Sequence, residues 1–121
     1  MKLTLIRGLP GSGKSTMAKA MGCFHVEADM FHVRDGVYQW DLANVKKAHA
    51  WCARMVEQAL EMGMDVVVSN TFVKRWEMER YEELAREAHA TLNVIVATGN
   101  YKDVHDVPAA TLARMRESWE E

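Results

Sequence analysis

Gly8-Leu9-Pro10-Gly11-Ser12-Gly13-Lys14-Ser15 satisfies G-x-x-x-x-G-K-[ST] at every fixed position. Each residue type has a reason to be there. Glycines let the backbone take conformations that other residues resist, so successive N–H groups can be aimed inward at phosphate oxygens. A helix opening at Lys14 adds its positive end. Lys14 is placed to reach the β- and γ-phosphates, and the Ser15 hydroxyl to ligate magnesium. With glycine near ~7% of residues, an accidental match in a chain of this length is expected well under ~1% of the time. The binding set on this reading is Gly8, Leu9, Pro10, Gly11, Ser12, Gly13, Lys14, Ser15 and Thr16, with ATP and Mg²⁺ as cofactors.

Transfer of a phosphoryl group to a hydroxyl also needs a carboxylate to orient the acceptor and take its proton. Glu27-Ala28-Asp29 follows a short apolar run at residues 23–26. In parallel α/β sheets, ligands bind off the carboxyl ends of the strands. Asp29 is therefore the candidate base, and Glu27 competes with it because strand alternation can turn either inward. Asp35 and Asp41 read as turn and cap residues. The run Val66-Val67-Val68-Ser69-Asn70-Thr71 ends without the acid that normally holds magnesium at such a strand, and Asp65 stands at its other end. On this reading Ser15, the phosphates and water hold the metal, with Asp29 assisting. Asn70 and Thr71 are candidate contacts to an acceptor.

These groups need a scaffold. Apolar runs at 3–6, 23–26, 66–68 and 92–96 alternate with helical periodicity over 14–22, from residue 42 to about 60, over 76–90 and over 108–119. That alternation predicts an α/β protein with a parallel four-stranded sheet and helices on both faces, the P-loop NTPase fold. Three consecutive β-branched residues at 66–68 mark a strand buried on both faces. Asp41 reads as an N-cap, and Gly63 as a left-handed helix end. Leu42 opens a core stripe, and Trp51, Trp76, Trp119 and most of the nine methionines fall at core spacing. Phe31, Tyr38 and Trp40 crowd a loop at 28–40, where they could stack on a base. The glutamates at 77, 79, 82, 83 and 87 read as an exposed helix face.

The 121 residues suit one domain, spanning 1–121. A net charge of −2, with the first sixty residues mildly basic and the remainder acidic, argues against a general nucleic-acid binder. Cys23 and Cys52 make no C-x-x-C, and the histidines no H-x-x-x-H, so no zinc site is expected. No apolar run approaches the ~20 residues of a membrane span. The N-terminus meets a charge and two glycines too soon for a secretory signal. The expectation is a cytoplasmic protein.

The stretch from Arg7 to Thr16, the aspartate after the second strand, Ser69-Asn70-Thr71 and the Val107-Pro108 helix start together resemble the P-loop kinase superfamily. The resemblance is to polynucleotide 5′-kinase domains and small phage-type kinase-like ATPases, and it covers nearly the whole chain. It implies an ATP-dependent kinase in which Asp29 acts on the acceptor hydroxyl, with a nucleic-acid 5′-hydroxyl or a nucleoside-like hydroxyl as the candidates. Three departures stand out. Asn70 replaces the middle residue of Ser-Asp-Thr. His32 occupies the place of an arginine three residues after the base. The lid before the last helix is short and has no arginine, so Lys102, His105, Arg34, Arg75, Arg114 and Arg116 are the cations left to consider. The alternatives are a nucleotide-binding module acting through a partner, a slow ATPase, and a site completed by a partner protein or a second copy.

Overall fold

The computed structural model describes residues 1–101 and 107–121, with the backbone alone at Arg34. In chain order the elements are β1 (Lys2–Arg7), α1 (Lys14–Ala20), β2 (Phe24–Val26), β3 (Val33–Arg34), β4 (Val37–Tyr38), α2 (Val45–Glu61), β5 (Val66–Asn70), α3 (Glu79–Ala88), β6 (Thr91–Val96) and α4 (Ala109–Ser118). Among the described residues one sheet has four strands, all parallel, in the order β2-β5-β1-β6. This is the expected architecture.

The order follows from the connections. From β1 the chain passes over β5 to reach β2, and from β5 it passes over β1 in the opposite direction to reach β6. Right-handed crossovers running in opposite directions place their helices on opposite faces. Accordingly, Ile6 and Val67 pack with Ala18 of α1 on one side. Leu3, Leu5, Val66 and Val68 pack with Cys52 and Val56 of α2 and Leu84 of α3 on the other. Val66, Val67 and Val68 are each at most 1% exposed, so the β-branched run does sit in the sheet's interior. Burial of each such valine contributes roughly 1.5–3 kcal/mol. The carboxyl ends of β1, β5 and β2 therefore lie side by side, and residues 8, 27 and 71 leave the sheet at one rim.

Several local expectations need correction. Leu42 does not open the core stripe. It lies in a short 3₁₀ turn, Leu42–Asn44, and is 74% exposed, while Asp41 caps that turn by accepting from the Ala43 amide. The stripe of α2 begins at Ala48. Trp76 sits in a second 3₁₀ turn, Arg75–Met78, and is exposed. Of the methionines, Met78 is buried, but Met1, Met17, Met21, Met62 and Met64 are exposed. The stretch 28–40 is not irregular throughout. A 3₁₀ turn, Ala28–His32, leads into the antiparallel ribbon β3–β4. Asp35 (φ 52°) and Gly36 (φ 77°) close that ribbon, both in the left-handed region that a tight hairpin demands.

Strand β6 is a sheet edge among the described residues, and Val94, Ile95 and Val96 on it are exposed. No helix among the described residues is long and apolar enough to cross a membrane.

Candidate functional site

The loop between β1 and α1 is a bend held by its own main chain. The Ser12 amide donates to the Leu9 carbonyl (3.1 Å), and the Gly8 amide to the Thr71 carbonyl (3.2 Å), which ties the loop's start to the end of β5. Gly11 and Gly13 stand at φ 80° and 92°, the left-handed conformations that turn successive amides to one side. The Lys14 ammonium donates back to the Leu9 carbonyl (3.1 Å) and so arches over the loop. Residues 99–101 close the far side. The Gly99 amide donates to the Ser12 carbonyl (3.0 Å) and the Tyr101 amide to the Gly11 carbonyl (2.7 Å). The Tyr101 ring lies where a Cβ on Gly13 would come within 3.1 Å of it.

The loop opens on a cleft of about 700 Å³. Pro10, Lys14, Ser15 and Thr16 of the loop and α1 line it, together with Glu27, Asp29, Tyr38 and Trp40. Ser69, Asn70 and Thr71 at the end of β5 border it, as do Lys19, Tyr101, Pro108, Thr111 and Met115. The cleft thus gathers the loop, both candidate carboxylates and the β5 end. Arg75 is turned away, its amide donating to Glu120 and its guanidinium to the Glu121 carbonyl. Arg114 is exposed, next to the cleft-lining Thr111 whose hydroxyl it contacts at 3.2 Å. Lys102 and His105, and the Arg34 side chain, lie outside the described residues.

The two carboxylates are sorted by their surroundings. Glu27, not Asp29, meets Ser15. Its Oε2 accepts from the Ser15 hydroxyl (2.7 Å) and from the Ser69 hydroxyl (2.7 Å). His25 Nε2 lies 2.6 Å from Ser69 Oγ and 3.6 Å from the Glu27 carboxylate. Because Ser69 gives its proton to Glu27, His25 Nε2 must be the donor to Ser69. Burial by itself would raise the Glu27 pKa, but the nearby His25 and the hydrogen bonds from Ser69 and Ser15 outweigh it and hold the carboxyl down at about 2. Asp29, two residues on, is exposed on the cleft wall and accepts from the Tyr38 hydroxyl at 3.3 Å.

The Glu27 shift predicts a pH dependence of folding. Its folded pKa lies below the ordinary 4.5, so the stabilisation is complete above pH 4.5 and is lost as pH falls from there toward 2. Denaturation of the wild type followed against pH should show that loss, and Glu27→Gln should remove its share of the slope. An equal slope in the two proteins would contradict the assignment.

Asn70 borders the cleft but is 7% exposed, and its amide is committed inward. Oδ1 accepts from the Ala28 amide (2.9 Å), and Nδ2 faces Cys52 Sγ at 3.8 Å. It ties β5 to the Glu27-Ala28-Asp29 turn rather than reaching out to an acceptor. Asn70→Ala, which leaves the Ala28 amide unpaired, should destabilise the fold by ~1–3 kcal/mol. Urea denaturation checks this, and an unchanged midpoint would refute it.

Besides His25 and Ser69, two participants were not assigned roles from the sequence. Tyr101 is one, and nothing in its spacing marks it. Arg7 is the other, a charged residue closing an apolar strand directly before the loop. It is 3% exposed, and burial, then nearby Arg75, pull its pKa below the ordinary value. Its guanidinium donates to the Phe72 carbonyl (2.8 Å) and the Glu120 carbonyl and lies 4.2 Å from the centre of the Trp119 ring. Arg7 thus anchors the C-terminal end of α4, the helix whose Thr111 and Met115 line the cleft.

Residues 3–100 match the family model described as "AAA domain". Human NEDD4-binding protein 2 is 34% identical over 92 residues, which cover 70% of this chain and 5% of that protein, so the chain corresponds to a small part of that relative. Among solved structures, the Pnkp1/Rnl/Hen1 complex is similar with a TM-score of 0.66 at 21% identity, over 93% of this chain and 38% of that one. A gluconokinase from Sinorhizobium meliloti 1021 gives a TM-score of 0.60 at 19% identity, over 99% of this chain and 75% of that one. The fold is that of the P-loop kinases.

Proposed function

The chain belongs to the AAA domain family, and from that premise we propose that residues 1–121 form one unit that transfers the γ-phosphoryl group of ATP to a hydroxyl acceptor. One observation carries the reading: the glycine-rich loop with Lys14 and Ser15 opens on the same cleft as the exposed carboxylate of Asp29. A triphosphate lies along the loop amides from Gly11 to Ser15, with Thr16 beside it and Lys14 swinging from the Leu9 carbonyl to the β- and γ-phosphates. The apolar surfaces of Tyr101, Pro108 and Met115 suit the nucleoside end.

Magnesium fits this donor set. The Ser15 hydroxyl lies in the cleft beside a carboxylate, and oxygen donors suit a hard cation that keeps much of its water and takes few protein ligands. When bound, the ion neutralises charge on the phosphates. The chain's own residues do the rest. Asp29 accepts the acceptor's hydroxyl proton as that oxygen bonds to the γ-phosphorus. The bond from phosphorus to the β–γ bridging oxygen breaks, and ADP leaves. Lys14 offsets the charge that gathers on the transferring group.

The wall around Asp29 supports one class of acceptor. The exposed Trp40 and the half-buried Tyr38, both lining the cleft, suit an aromatic group next to the reacting hydroxyl, as in a nucleoside or a nucleic-acid 5′ end. Incubation with γ-labelled ATP and a panel of hydroxyl acceptors tests the reading. Label on a nucleoside or oligonucleotide 5′-hydroxyl supports it, and label released only as free phosphate replaces it with a hydrolase. The apolar edge of β6, Val94 to Val96, favours a second reading in which the domain binds nucleotide and acts through a protein added at that edge. Nucleotide binding with neither transfer nor release would favour that one.

A further inference from the structure

Strand β5 ends in Ser69-Asn70-Thr71, where a nucleotide-binding strand of this kind ordinarily presents an acid to magnesium. Resting on the nucleotide reading above, we propose that Glu27, delivered from the neighbouring strand β2, is the carboxylate that secures the magnesium ion of bound ATP, acting through the Ser15 hydroxyl.

The sheet explains how the acid could move from one strand to the next. β2 and β5 are parallel neighbours in the register Val26↔Val68, so residue 27 leaves β2 beside residue 69. A glutamate on the outer strand, one methylene longer than aspartate, reaches across to the end of β5. The place where it arrives is marked twice. The Ser69 hydroxyl, at the strand end, donates to Glu27 Oε2, and the Ser15 hydroxyl donates to the same oxygen, each at 2.7 Å. A Ser15 hydroxyl that gives its proton to Glu27 keeps its oxygen lone pairs for a cation. The negative charge then stands one bond behind that oxygen, where it raises the oxygen's basicity.

The nearby acids are placed for other work. Asp65 is at the opposite end of β5, where it accepts from the Lys2 amide (2.8 Å). Asp29 accepts from Tyr38 on the cleft wall. Glu27 itself is ill suited to be the general base. Its Oε2 already accepts from both the Ser15 and Ser69 hydroxyls and so is taken up behind the loop rather than turned to an acceptor. The Glu27-Ala28-Asp29 turn thus divides two tasks, one carboxylate behind the metal and the other facing the acceptor.

The test measures metal affinity rather than turnover. Mn²⁺ is titrated by electron paramagnetic resonance into the full chain saturated with a β,γ-imido analogue of ATP. Glu27→Gln should weaken Mn²⁺ binding by at least ~10-fold. Combining Glu27→Ser with Ser69→Asp, which returns the acid to β5, should recover most of that loss relative to Glu27→Ser alone. Melting curves identify any variant that has failed to fold, and the comparison is then made with Glu27→Asp, which keeps the charge but shortens its reach and should be intermediate. Unchanged Mn²⁺ affinity in Glu27→Gln overturns the proposal. So does an impaired Glu27→Ser that a folded double variant does not rescue, since that would give Glu27 a packing role. Analogue binding by the wild type in EDTA separates the two levels. If it binds and Glu27→Gln behaves as wild type, this proposal alone falls. If the wild type binds neither analogue nor metal, the nucleotide reading falls and takes the proposal with it.

Discussion

Lys14→Ala should lower phosphoryl transfer by at least ~10³-fold, since the cation that meets the γ-phosphate supplies stabilisation that grows as charge moves in the transition state. Nucleotide affinity should fall as well, because a charge-assisted hydrogen bond contributes ~1.5–3 kcal/mol. The fold should survive. The ammonium is half-buried and donates to the Leu9 carbonyl, whereas the loop's shape is held by the Ser12, Gly99 and Tyr101 amides. A melting curve near that of the wild type, together with lost turnover, would identify a chemical defect rather than a folding one. Turnover within a few-fold of wild type would remove Lys14 from its role.

Asp29→Asn should separate binding from chemistry. The amide preserves size and can still meet Tyr38, but it cannot take a proton. Transfer should fall by ~10²-fold or more, the usual contribution of a positioned base, while calorimetric ATP affinity stays within about two-fold. The contrast with Glu27 is informative. Loss of the Asp29 charge should leave metal affinity unchanged, and loss of the Glu27 charge should not. Equal transfer rates in wild type and Asp29→Asn would show that the proton goes elsewhere.

The sheet was legible in the sequence because its strands are short apolar runs with an unambiguous burial pattern. Val66-Val67-Val68 can be accommodated only between two covered faces, and it sits there. The phosphate loop was equally legible, because each of its fixed positions answers to a local backbone or charge requirement. Helix faces were harder. Leu42 and Trp76 fall at helical spacing but lie in 3₁₀ turns that precede α2 and α3, where the rotation per residue differs and the side chain swings outward. The ribbon at 33–38 has strands of two residues, too short for any periodicity. Its one signal is Asp35-Gly36, a dipeptide suited to consecutive left-handed residues.

The site divides along the same line. Motif residues were found because their partners are close in sequence. The choice between Glu27 and Asp29 could not be made from alternation. It depends on β2 lying beside β5, which brings residues 27 and 69 together across 42 positions of chain. The inward partners of Asn70 were hidden for a similar reason. Its partners, Ala28 and Cys52, come from two other elements. Arg7 likewise acts on residues 72, 73 and 120, which no local pattern connects to it.

Every role assigned to the cleft requires that the bend between β1 and α1 grip a polyphosphate. Titration calorimetry of the whole chain with ATP and with GTP, each with magnesium, measures this directly. The expected result is saturable binding of at least one triphosphate, tighter than that of the matching monophosphate and lost in Lys14→Ala. No heat of association with either triphosphate at millimolar concentration would contradict it.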